Sequence, residues 1–108
     1  MKNTLVLFTV LLGAAGLCHA AGNAEAGKAK AAQVCAACHG PDGNKPSAAD
    51  QPVLAGQYSD YLVKALSDYK SGKRKNAIMQ GQVANLSPKD MSDLAAYFAS
   101  QGALQVKH

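Results

Sequence analysis

Cys35, Cys38 and His39 are the residues of this 108-residue chain whose types and spacing could do chemistry. Two cysteines separated by two residues, with a histidine directly after the second, form the attachment pattern of c-type haem. Each S–H can add across one vinyl group of a porphyrin, the sulfur bonding one carbon and the proton going to the other. The two-residue gap lets both sulfurs reach one ring edge. The adjacent imidazole can then project over the ring and ligate its iron.

Two other chemistries use part of this pattern. A Cys-x-x-Cys redox dithiol belongs in a thioredoxin-like βαβ context, and the sequence shows none. A zinc site needs four ligands, but no cysteine follows Cys38 and the only later histidine is the last residue, His108. Haem attachment is the expectation. Iron held by His39 alone would stay open to small ligands, so the sixth position decides function. Met79 and Met91 are the candidate thioethers beyond the motif. Met91 falls on the apolar face of a helix, whereas Met79 sits in a polar stretch with no amphipathic stripe to explain it. Met79 is therefore the expected second axial ligand, its alternative being a hydrophobic plug. His108, a terminal residue, is the weaker candidate.

Helices must position these groups. Asn23 is a candidate N-cap with Glu25 in the first turn. From there Gly27, Ala31, Val34, Cys35 and Cys38 recur at helical spacing, a small-residue face running into the motif. Gly40-Pro41-Asp42-Gly43-Asn44 breaks that helix, and a loop continues through Pro46 and Pro52 to Gly56. Tyr58, Tyr61, Leu62, Ala65, Leu66 and Tyr69 form an apolar stripe on a second helix, which Gly72 stops. The stretch from Lys73 to Asn85 reads as loop, with a short helical turn at most. The last helix carries Ser87 as cap, Pro88 at its first position and Asp90 completing a capping box. Leu86 and Met91 are placed to staple its start. Met91, Leu94, Ala95, Tyr97 and Phe98 form its buried face. No alternating strand pattern appears, so the expected fold class is all-α.

The N-terminus reads as a secretory signal. Lys2 is followed by the apolar run Leu5 to Leu17, and Cys18-His19-Ala20 offers small residues where cleavage is decided. The run is too short for a spanning helix of ~20 residues. Residues 1–20 are expected to be removed, Cys18 and His19 with them, leaving one domain over residues 21–108. A domain of about 88 residues has a marginal core and commonly relies on a staple. With no Trp and two Phe in the chain, a buried porphyrin would supply the missing apolar volume. The net charge of +4 is too small to suggest a nucleic-acid partner.

In order along the chain, these landmarks resemble those of class I c-type cytochromes. They are Gly27, Cys35-Ala36-Ala37-Cys38-His39-Gly40, Pro52-Val53-Leu54-Ala55-Gly56-Gln57, Tyr61-Leu62, Gly72-Lys73-Arg74 before Met79, and Leu94-Ala95-Ala96-Tyr97-Phe98. The likeness is to short monohaem bacterial periplasmic members, similar to one half of a dihaem cytochrome c. It implies a cytochrome c fold, with N- and C-terminal helices crossing and a middle helix and loops wrapped around one haem. It implies Cys35 and Cys38 as thioethers, His39 and Met79 as iron ligands, and the Pro52 carbonyl as acceptor for the other ring N–H of His39. It places Tyr61 and Arg74, with Tyr58 and Gln57, near the haem edge or its propionates. Gly27 would allow close crossing near Tyr97. Where the family often has an aromatic residue four positions before the first cysteine, this chain has Ala31.

The function expected is a periplasmic carrier of one electron on haem c, not an enzyme. It would dock transiently with redox donor and acceptor proteins, as a monomer without membrane insertion after signal cleavage. Lys70, Lys73, Arg74 and Lys75 are a candidate docking patch for an acidic partner. The competing readings are a haem enzyme or ligand sensor with an open distal site, and a haem subunit of a larger redox complex.

Overall fold

The computed structural model describes residues 22–102. Five helices run in order: α1 Ala24–Val34, α2 Ala36–His39, α3 Ser59–Ser71, α4 Ala77–Val83 and α5 Pro88–Ala99. No strand occurs among the described residues, so the fold is all-α. The signal segment 1–20, with Cys18 and His19, lies outside the described residues, as does His108.

α1 crosses α5, and this is the most extensive helix pairing in the fold. The crossing is close because the buried residues of α1, Gly27 and Ala31, are small. A Cβ on Gly27 would lie 1.9 Å from the Asp93 carbonyl oxygen and 2.8 Å from Tyr97 Cβ. Ala31, where an aromatic residue was the family expectation, is fully buried at the same crossing. The adjacent Tyr97 and Phe98 rings, 5.2 Å apart, fill the space beside it. Asn23 caps α1 as expected, its side chain accepting the Ala26 N–H at 3.0 Å.

α5 is the best-punctuated element. The Ser87–Asp90 capping box is formed and Pro88 opens the helix, satisfying N–H groups that have no partner inside the helix. Leu86 and Met91 are both buried in the core cluster, with Leu94, Ala95, Tyr97 and Phe98.

Two expectations about the elements need correction. The helix entering the motif is not continuous: it stops at Val34, and α2 restarts after Cys35. The stretch from Lys73 to Asn85 is not mainly loop, because residues 77–83 form α4. Asn76 caps it, its side chain accepting the Met79 N–H at 3.0 Å. The helix is short and has Gly81 inside it, a residue that weakens helical propensity, so periodicity alone did not reveal it. α4 packs on α3, and α3 packs on α5. α3 ends at Gly72, whose φ of 83° is the left-handed conformation glycine tolerates.

Candidate functional site

The motif lies at the mouth of a cleft of about 230 Å³ with a mostly apolar lining. Cys35, Cys38 and His39 line it, and so does Met79. α2 packs on α1, whereas α4 packs on α3, so the imidazole and the thioether reach the cleft from different parts of the fold. Met91 does not line it; it is buried in the core on α5. The structure thus separates the two methionines by environment, although Met79 reaches the cleft from a helix and not from the loop expected.

His39 is 5% exposed, and its orientation is fixed from behind. Nδ1 lies 2.9 Å from the Pro52 carbonyl oxygen. A carbonyl only accepts, so Nδ1 carries the proton and donates it, leaving the Nε2 lone pair free to ligate a metal.

Burial pushes the Cys35 thiol up to about 11. At neutral pH it is an uncharged S–H, unlike the lowered-pKa thiolate that dithiol exchange requires. Its position on an apolar wall suits a sulfur destined for a thioether.

Arg74 and Asp50 are the only charged side chains among the described residues lining the cleft. The Arg74 guanidinium lies 4.9 Å from the centre of the Tyr69 ring and donates to the Tyr61 hydroxyl at 3.3 Å. Tyr61 and Gln57 line the same cleft, whereas Tyr58 does not. Two of the cleft residues are exposed large hydrophobics, Ile78 at 69% and Tyr61 at 49%. The tyrosine stripe on α3 is therefore only partly core, Leu62 alone being fully buried on that helix.

The basic stretch divides on inspection. Lys70 donates to the Leu86 carbonyl, tying α3 to the start of α5. Arg74 is held by the two tyrosines. Lys73 and Lys75 are exposed, and neither forms a side-chain ion pair among the described residues.

Sequence reasoning missed Asp93. It lies on α5 and is 4% exposed, accepting from Lys89 Nζ at 2.5 Å and from the Asn23 N–H at 2.7 Å. The Lys89 ammonium, with the Asn23 N–H, holds its carboxyl below the usual carboxylate range. The i, i+4 pairing with Lys89 was legible; the tie to the first residues of α1 was not.

Two cysteines one helical turn apart, an imidazole with its outer nitrogen available, a thioether and apolar walls fit a covalently bound iron porphyrin. The fold and this donor set define a c-type cytochrome. The cytochrome c family model matches residues 24–102, and the chain belongs to the cytochrome c family, whose cofactor is covalently attached haem c. It is 55% identical over 101 residues to cytochrome c4 of Pseudomonas aeruginosa, covering 94% of this chain and 49% of that protein. It is 42% identical to cytochrome c-554(548) of Halomonas halodenitrificans, covering 75% of this chain and 99% of that one. The crystal structure of reduced cytochrome c4 from Pseudomonas stutzeri superposes with a TM-score of 0.70 at 48% identity, over 76% of this chain and 47% of that one. The chain thus spans about half the length of the cytochrome c4 relatives, and nearly the whole length of the smaller cytochrome matches it.

Proposed function

We propose that this protein is a periplasmic electron carrier, holding one electron on a single haem c with His39 and Met79 as axial ligands and Cys35 and Cys38 as thioethers. The observation that carries this reading is the convergence of His39, already oriented by Pro52, and Met79 on one apolar cleft beside both cysteines. Haem c supplies the one-electron iron couple. The chain's own residues do the rest. Pro52 fixes the imidazole tautomer, the apolar walls would keep water from the metal, and the Met79 thioether would hold the iron opposite His39, favouring its ferrous state relative to a second imidazole. Ligation by Met79 would leave no vacant position for a substrate, which separates a carrier from an enzyme or sensor. Arg74, in contact with Tyr61 and Tyr69 on the cleft lining, would be the partner for a propionate.

Export follows from the reading of residues 1–20 as a cleaved signal, with 21–108 as the mature domain. Among the described residues no helix is long and apolar enough to cross a membrane. The protein is proposed to work as a monomer. The exposed Tyr61 and Ile78 at the cleft mouth, with Lys73 and Lys75, form the surface for transient docking to acidic donor and acceptor proteins.

The absorption spectrum of the matured protein tests the ligand set. A ferric sulfur-to-iron charge-transfer band, and a ferrous form that ignores carbon monoxide, are expected of the wild type. Met79→Ala should lose the band, bind carbon monoxide and shift to a lower potential, while Met91→Ala should cost stability and leave all three unchanged. An open iron in the wild type would favour an enzyme or sensor instead.

A further inference from the structure

We infer that the Tyr97 hydroxyl is a positioning group for the His39 imidazole, acting through the loop that follows His39 at the end of α2 and carries its acceptor Pro52. The inference rests on the reading of His39 as an iron ligand. Tyr97 is 7% exposed and does not line the cleft, so any influence on the haem must pass through other residues.

Those residues form a short, traceable path. The Tyr97 hydroxyl donates to the Pro41 carbonyl at 2.7 Å, across 56 positions of sequence. Pro41 lies two residues beyond His39, in a loop folded back on the motif: the Lys45 N–H donates to the His39 carbonyl at 3.1 Å and the Ser47 N–H to the Cys38 carbonyl at 2.9 Å. Two residues further on, the Gly43 carbonyl accepts from Leu54 N–H at 2.8 Å and from Ala55 N–H at 3.3 Å. Pro52, the acceptor for His39, is two residues before Leu54. Gly43 therefore links the half of the loop that leaves His39 to the half that brings Pro52 back.

α5 holds this loop at three points with two consecutive residues. Tyr97 holds Pro41. The Phe98 ring lies so close to Gly43 that a Cβ there would meet Cδ1 at 2.7 Å. The Phe98 carbonyl accepts the Gly56 N–H at 2.9 Å. The second and third contacts are ring packing and main chain. The first depends on a single oxygen atom, and Tyr97→Phe removes it with the ring kept in place.

Loss of that oxygen should loosen position more than it lowers stability. Pro41 is exposed, so water can take over its carbonyl. The loop, however, would no longer be tied to α5 at that point, and the Nδ1–H···O=C bond behind His39 would weaken. In an iron-bound imidazole such a bond strengthens donation from the ring to the metal and so favours the ferric state. Weakening it should raise the reduction potential.

The test uses the holoprotein. Tyr97→Phe should keep the sulfur-to-iron band, raise the potential, and speed hydrogen exchange at the His39 Nδ1–H by roughly five- to tenfold, the factor one net hydrogen bond represents. Met91→Ala, which lowers stability through the core on the same helix, should move neither the potential nor that exchange. Tyr97→Phe with an unchanged potential and unchanged ring exchange overturns the inference, and so does an equal shift in Met91→Ala, which would mean that general loosening is responsible. Failure of the ligand reading is distinguishable, because imidazole ligation is absent or present in the wild-type spectrum before any variant is made.

Discussion

Asp93 shows how one side chain can join two distant parts of the sequence. Its carboxylate holds the Asn23 N–H at the start of α1 and the Lys89 ammonium on its own helix. Its pKa is lowered in the folded state, so it contributes stability above the unfolded aspartate value of ~3.9, and that contribution is lost as pH falls through this value toward the folded one. Asp93→Asn should therefore unfold more easily than wild type at neutral pH, and the difference should shrink below about pH 4. Denaturant melts at neutral pH and at pH 3 would check it; a gap that stays constant would mean the charge contributes nothing. The haem cofactor of the family was legible from the Cys35-x-x-Cys38-His39 pattern, because that pattern has few other uses. The environment of Asp93 could not, since burial of a carboxylate depends on which residues a distant helix start brings to it.

Among the elements, the crossing of α1 and α5 is set by what is missing from α1. Gly27 leaves no room for a methyl group against the Asp93 carbonyl. Gly27→Ala should cost ~1–3 kcal/mol, the usual penalty for overpacking, read as a lower denaturation midpoint with the absorption spectrum of the folded protein unchanged. α5 was legible down to its cap because Ser87, Pro88 and Asp90 signal locally, and local signals survive without knowledge of the fold. α4 was not, because a seven-residue helix containing Gly81 draws its stability from packing on α3 and from the Asn76 cap more than from propensity. The break at Cys35 escaped notice for a related reason: α2 keeps helical spacing, so its residues still fit the periodicity of α1.

For the whole molecule, net charge matters less than which cations are free. Lys70 and Arg74 already have partners inside the fold, so the proposed docking surface rests on Lys73 and Lys75. Replacing both with Gln should slow electron transfer to an acidic partner at low salt, and the deficit should fade as ionic strength rises beyond 0.1 M, where the Debye length is about 10 Å. Stopped-flow rates over a salt series would show it, and rates indifferent to salt would remove these lysines from the encounter. The sequence suggested a four-residue patch; the reduction to two could be seen only once the Leu86 carbonyl and the two tyrosine rings were in place.

The two sides of the cleft are anchored very unequally. His39 closes α2 and runs straight into a loop fastened to α5 at three points and stapled to itself by main-chain hydrogen bonds. Met79 rides on a seven-residue helix that leans on α3. Opening of such a structure follows its least stable unit first. On warming, α4 would therefore loosen before the surroundings of His39 are disturbed. If the two residues ligate iron as proposed, the Met79 side would act as a fuse, giving way while the His39 side still holds.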